Sequence, residues 1–176
     1  MADLLQSFNY TMKFEDAQLS GVITKDPTKS DPNAVARFGI NSAANPQAVR
    51  DGLYEMSTEA ALQYSQDVFK YDYFSPCCGY QITDQNVANK FIDLAFNEGR
   101  TQATKILQRA INYVIAGPVA IDGQIGQHTL DAIKACDPVE LLAAIKDKAR
   151  DFYVALASAN PEMKNDLADW LVRVQA

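Results

Sequence analysis

The chain has 176 residues, is 48% hydrophobic and 10% aromatic, and carries a net charge of −6 with a pI near 4.7. This content suits one good core with a small appended subdomain and excludes disorder, while the charge argues against nucleic acid, whose phosphates need a clustered basic surface. No run of about 18 apolar residues is present, so membrane insertion is not expected, and the acidity also argues against electrostatic capture by an anionic membrane or wall.

The spacing of Leu4, Leu5, Phe8 and Met12 predicts a first helix over residues 3 to 14, closed by Glu15. Residues 16 to 45 are rich in Asp, Pro, Ser, Asn and Gly and read as a loop, with residues 21–24 and 38–40 as candidates for a short strand pair. Pro46 opens a short helix to Tyr54, and Ser57 caps a longer one, with Glu59 in its first turn, running to about Tyr71. The cleanest apolar stripe is Val87, Ala88, Phe91, Ile92, Ala95 and Phe96, on a helix over residues 84–98 that Gly99 ends. A further helix spans residues 101–114, with Ala103, Ile106, Leu107, Ala110 and Ile111 on one side. Residues 117–126 read as a loop and 127–136 as a short helix. Asp137, Pro138 and Glu140 make a strong helix start, and Asn160-Pro161 opens the last helix, which ends near Arg173. No internal repeat and no long linker divide the chain, so one mostly helical body is expected.

The chemistry-bearing residues gather early. Glu15 sits at a helix end beside apolar Met12 and Phe14, and Asp26 and Asp31 follow, each before a proline. Glycoside cleavage needs one carboxylic acid kept protonated and, usually, a second polar or ionised group across the sugar. Arg37 and Phe38 are candidates for a cleft wall, with Phe38 equally suited to the core. Tyr71, Tyr73 and Phe74 form an aromatic cluster that suits either sugar stacking or core packing. The Asn97 amide suits a sugar N-acetyl group or a loop contact, while Asp93, one turn earlier, suits a structural hydrogen bond. Cys77, Cys78 and Cys136 read as reduced structural thiols, because an adjacent pair bridges only with strain. They and the single histidine, His128, show no zinc-ligand spacing, so neither a metal nor a cofactor is expected.

The order of these motifs resembles glycoside hydrolase family 108, the N-acetylmuramidases of the lysozyme superfamily. Three stretches carry the likeness. The first runs from Phe14-Glu15 through Asp26-Pro27 and Asp31-Pro32 to Phe38-Gly39-Ile40; the second covers residues 92–99 with Ala103, Leu107 and Gln108; the third covers residues 121–130 with Trp170 and Arg173. The family's two glycines after the glutamate are replaced by Asp16 and Ala17, and Asn33, Ala34 and Ala36 stand where a glycine pair and a threonine are usual.

The resemblance implies a mainly α-helical, lysozyme-like fold with a small β or irregular element near residues 16–45. It implies a catalytic part over residues 1–100, and a C-terminal part over residues 101–176 that resembles a peptidoglycan-binding segment and packs in the same body. Glu15 would be the general acid. By analogy with phage-type lysozymes Asp31 would be the second carboxylate, with Asp26 as its rival, and Ala36 leaves no hydroxyl where one is expected. Asp26, Arg37, Phe38, Tyr71 and Asn97 are the expected substrate-binding residues. The implied partner is the glycan strand of bacterial peptidoglycan, met by a monomer, and the implied reaction is cleavage between N-acetylmuramic acid and N-acetylglucosamine. A non-catalytic peptidoglycan-binding module and a lytic transglycosylase are the alternatives. The first residues lack a basic region and a long apolar core, so synthesis in the cytoplasm and action at the wall after release, as in a phage endolysin, is the expected setting.

Overall fold

The computed structural model describes residues 1–28, 30–116 and 119–176. The chain opens with α1 (Leu4–Glu15), whose N-cap Asp3 accepts from the Gln6 amide at 2.8 Å. The buried face of α1 is Ser7, Phe8, Thr11 and Met12; Leu5, expected on it, is exposed.

Three short antiparallel strands follow in the order β1 (Thr24–Lys25), β2 (Val35–Arg37) and β3 (Ile40–Asn41), with Thr24 opposite Ala36 and Arg37 opposite Ile40. The expected strand over residues 38–40 is corrected by this register. Phe38 and Gly39 instead form a two-residue hairpin turn with φ of 50° and 73°, the left-handed pair that a type I′ turn requires. The other expected strand, over residues 21–24, is reduced to β1, and Gly21 lies outside it at φ 63°.

Beyond the sheet, α2 (Pro46–Arg50) stops earlier than expected because Gly52 turns the chain left-handed into a 3-10 turn at Leu53–Glu55. Ser57 caps α3 (Thr58–Val68), whose last turn widens into a π turn at Phe69–Phe74. Asp84 caps α4 (Gln85–Glu98) by accepting from the Asn86 and Val87 amides, and Gly99 at φ 81° separates it from α5 (Arg100–Val114). Then come α6 (Gln127–Ala135) and α7 (Pro138–Ala159), the latter capped by Asp137 as expected. The last expected helix is in fact two pieces, a 3-10 turn at Pro161–Asn165 and α8 (Leu167–Gln175). Of the expected loop over residues 117–126, Gly117 and Pro118 lie outside the described residues.

The centre of the molecule is α4, which packs against α1, α5 and α7. Its apolar stripe is buried from Val87 to Ala95, with Phe96 partly buried at its end, and each large buried side chain contributes about 2 kcal/mol of apolar burial. Unlike a surface helix, α4 also buries Asn89, Lys90 and Asp93. It can do so because the neighbours supply partners: Ser7 donates to Asn89 Oδ1 at 2.8 Å, and Lys90 Nζ donates to the Arg173 carbonyl at 2.6 Å. The fold is mainly α-helical and lysozyme-like, with a small three-stranded sheet in the region near residues 16–45 where a small β or irregular element was expected. Among the described residues no helix is long and apolar enough to cross a membrane.

Candidate active site

A cleft runs between the end of α1, the sheet and the C-terminal end of α4. It has two lobes of about 280 Å³ each. Glu15, Asp26 and Gly39 border both, so the expected acid and one expected partner sit where the lobes meet. The sheet-side lobe is completed by Asp16, Ser20, Val22, Thr24, Lys25, Ala36 and Phe38, the other by Asn41, Asn45, Tyr73, Phe96 and Asn97 among others.

Glu15 is held from behind. Its Oε1 accepts from Arg173 Nη1 at 2.7 Å, and the same guanidinium donates through Nη2 to Asp93 Oδ1 at 2.8 Å and through Nε to Asp93 at 3.2 Å. The Asp93 side chain is 1% exposed, and Lys90 Nζ stands 4.0 Å from its Oδ2. Burial works against the charge on Arg173, but Asp93 and Glu15 more than offset it, and the guanidinium is held above its ordinary value. The carboxyl end of α1 repels a carboxylate, and Arg173 counters that repulsion. The other oxygen, Oε2, lies against Gly39: a methyl group at that position would come within 2.9 Å of Glu15 Cγ, Glu15 Oε2 and Phe96. Glycine is therefore required twice here, for the positive φ and for the room Glu15 occupies.

The other expected residues separate. Asp26 borders the cleft, with Oδ2 and its carbonyl both accepting from Asn41 Nδ2, at 2.7 and 2.8 Å. Asp31 borders neither lobe. It closes the β1–β2 connection, Oδ1 accepting from the Asn33 amide at 2.9 Å and its carbonyl from the Thr28 and Ala34 amides. Arg37, expected on the cleft wall, is buried: it donates to the carbonyls of Gly21, Leu53 and Met56 at 2.8–2.9 Å and ties the sheet to the α2–α3 connection. Phe38 joins both expectations, bordering the cleft while its ring is 2% exposed. Tyr71 points away from the cleft, 62% exposed with Lys70 over its ring; the π turn brings Tyr73 to the wall instead, 4.9 Å from the Phe96 ring. Asn97 borders the cleft and donates to Tyr153 Oη at 2.7 Å.

Arg173, Gly39, Asn41 and Tyr73 are functional neighbours that periodicity does not reveal. Gly39 and Arg173 are signalled by the resemblance and Tyr73 by the aromatic cluster it forms with Tyr71 and Phe74, whereas Asn41 carries no such signal. Asp93 takes the structural role expected for it. Burial pushes the Glu98 carboxyl up, but Glu98 borders neither lobe. All three cysteines are free, and burial pushes the Cys77 thiol up to about 12. Among the described residues no three His, Cys, Asp or Glu side chains cluster to hold a metal.

Comparison with known proteins bears on the C-terminal part first. A family model described as "Predicted Peptidoglycan domain" matches residues 102–175. That likeness relates the chain to peptidoglycan. The solved structure of Brucella abortus SagA is similar over 98% of this chain and 93% of that one, with a TM-score of 0.64 and 16% identity, a likeness of fold alone. Among curated proteins none matches. The matched segment runs from α5 to α8, and through Arg173 it reaches the carboxyl group of Glu15.

Proposed function

We propose that the chain is a muramidase, cleaving the β-1,4 bond between N-acetylmuramic acid and N-acetylglucosamine in peptidoglycan, with Glu15 as general acid. The observation that carries this reading is the double role of Glu15, fixed by Arg173 on one oxygen and placed where both lobes of the cleft meet with the other. Arg173 on Oε1 favours the carboxylate, so in this reading substrate binding, which expels water from the cleft, returns a proton to Oε2, and that O–H is delivered to a glycosidic oxygen lying over Gly39. Asp26 is the second carboxylate in this reading. Asn41 holds its Oδ2, which leaves Oδ1 to orient a water or steady the developing charge on the sugar. Val22, 65% exposed on one lobe, and Tyr73 on the other offer apolar surface to sugar faces. No cofactor enters these steps.

Residues 1–100 would supply the catalytic cleft and residues 101–176 the hold on peptidoglycan. Action at the cell wall by a monomer after release, as in an endolysin, completes the proposal. A lytic transglycosylase is the second reading, supported by Ala36, which lines the cleft with a methyl group where a water-positioning hydroxyl is expected. Mass spectrometry of fragments released from purified peptidoglycan separates the two. Hydrated reducing ends are expected; 1,6-anhydro ends alone would replace the hydrolase with the transglycosylase.

A further inference from the structure

A second concave site lies wholly within the segment that resembles a peptidoglycan domain. Gln102, Arg109, Asn112 and Tyr113 come from one face of α5, and Lys148, Asp151, Phe152 and Ala155 from one face of α7 at the i, i+3, i+4, i+7 spacing. With Ile121 they enclose a groove of about 730 Å³, and none of these residues borders the cleft.

The groove is preformed. Gln108 donates to Asp122 Oδ1 and the Gln124 carbonyl and accepts from the Gly123 amide, and Asn112 bonds Val119 through both its amide atoms. These bonds fix the loop that presents Ile121. The groove offers apolar surface to solvent: Tyr113 is 73% exposed and Ile121 44%. Its rim carries two cations and one carboxylate, Arg109, Lys148 and Asp151, in a chain of net charge −6. Lys148 Nζ lies 4.7 Å from the Tyr113 ring centre and 3.9 Å from Asp151, and Arg109 has no ion-pair partner among the described residues.

We propose that this groove binds the stem peptide of peptidoglycan, an inference that rests on peptidoglycan as the polymer acted upon. The glycan strand carries no free carboxylates once its lactyl groups are joined to peptide; the stems carry them, alternating with alanine methyl groups. Arg109 and Lys148 meet the carboxylates, and Tyr113, Phe152, Ile121 and Ala155 receive the methyl groups. The groove thus holds the stem while the cleft takes the glycan.

The test is calorimetric titration of the full chain with a soluble stem tetrapeptide, the same peptide with its carboxylates amidated, and peptide-free glycan strands whose freed lactyl carboxylates are capped as amides. The parent is expected to bind the free-acid peptide, at least tenfold more tightly than the amidated one, and more weakly as salt is raised. Arg109→Glu should weaken binding at least tenfold and Arg109→Lys much less, with far-ultraviolet dichroism confirming that both fold. Stem binding unmoved by Arg109→Glu, or equal affinity for the amidated peptide, overturns the proposal, as does glycan binding that Tyr113→Ala abolishes with no stem binding at all. A parent that titrates stem peptide but cleaves no glycan would leave the groove standing and remove the muramidase reading.

Discussion

Arg173 on the last helix donates to Glu15 on the first at 2.7 Å, across 158 residues of chain, while the same guanidinium holds Asp93. The side chains are 13%, 21% and 1% exposed, respectively, so this is a largely desolvated network and not a surface pair. Arg173→Ala leaves Asp93 buried with only Lys90 nearby, and is expected to cost about 3 kcal/mol. Arg173→Lys keeps the charge but loses the fork that reaches both carboxylates, and should cost less. Urea denaturation measures both. A loss below about 1 kcal/mol in Arg173→Ala would contradict the network.

Gly39 and Gly99 make a controlled pair, with φ of 73° and 81°. Alanine at either is expected to cost about 1–3 kcal/mol from backbone strain. At Gly39 the new methyl also meets Glu15 and Phe96 at 2.9 Å, whereas at Gly99 nothing lies within 4 Å. Gly39→Ala should therefore abolish most cleavage, and Gly99→Ala should retain it below its own melting point. Equal losses of activity in folded protein would show that Glu15 does not depend on the turn.

Much of the fold is legible in the sequence because local rules and tertiary packing agree. Asp137 and Ser57 cap helices where their spacing to apolar residues says they should, and the stripe from Val87 to Ala95 is core. The misses arise where local rules are outvoted. Phe38 holds a positive φ that a bulky residue seldom takes, so the turn falls where a strand was expected. The π turn shifts the aromatic that reaches the cleft from Tyr71 to Tyr73, a change of rotation that 3.6-residue periodicity does not encode. Arg37 carries the same composition signal as a ligand-binding arginine, but three backbone carbonyls claim it. The partner of Glu15 lies 158 residues away, beyond any spacing argument.

Asp26 and Asp31 give opposite expectations. Asp26→Asn should lower cleavage about 10²-fold or more with little change in stability, since Asp26 borders both lobes. Asp31→Ala removes the hydrogen bond to the Asn33 amide, so it should cost about 1 kcal/mol and leave cleavage near the parental rate. Parallel measurement of rate and denaturation midpoint distinguishes them; the reverse pattern would return the second carboxylate to Asp31.

Lys90 provides a pH signature. Burial lowers its ammonium to about 8, despite the opposing pull of Asp93, with Lys146 and Arg173 adding to the decrease. The folded state thus binds the proton less tightly than the unfolded chain, whose lysine titrates near 10.5. Stability from this group is present above about pH 10.5 and lost as pH falls through about 8, a change of about 3 kcal/mol. The stability of the parent relative to Lys90→Met should rise over that window. A flat difference from pH 7.5 to 10.5 would show that Lys90 is not desolvated by α1 and α8.

The most direct measurement is release of reducing ends from purified peptidoglycan by the parent and by Glu15→Gln, after dichroism and melting show that both fold alike. Glutamine keeps an acceptor for Arg173 and fills the space against Gly39, but has no proton to deliver to a glycosidic oxygen. The account predicts release by the parent and a fall of about 10²-fold or more in the variant. Release that survives the substitution would contradict Glu15 as the general acid.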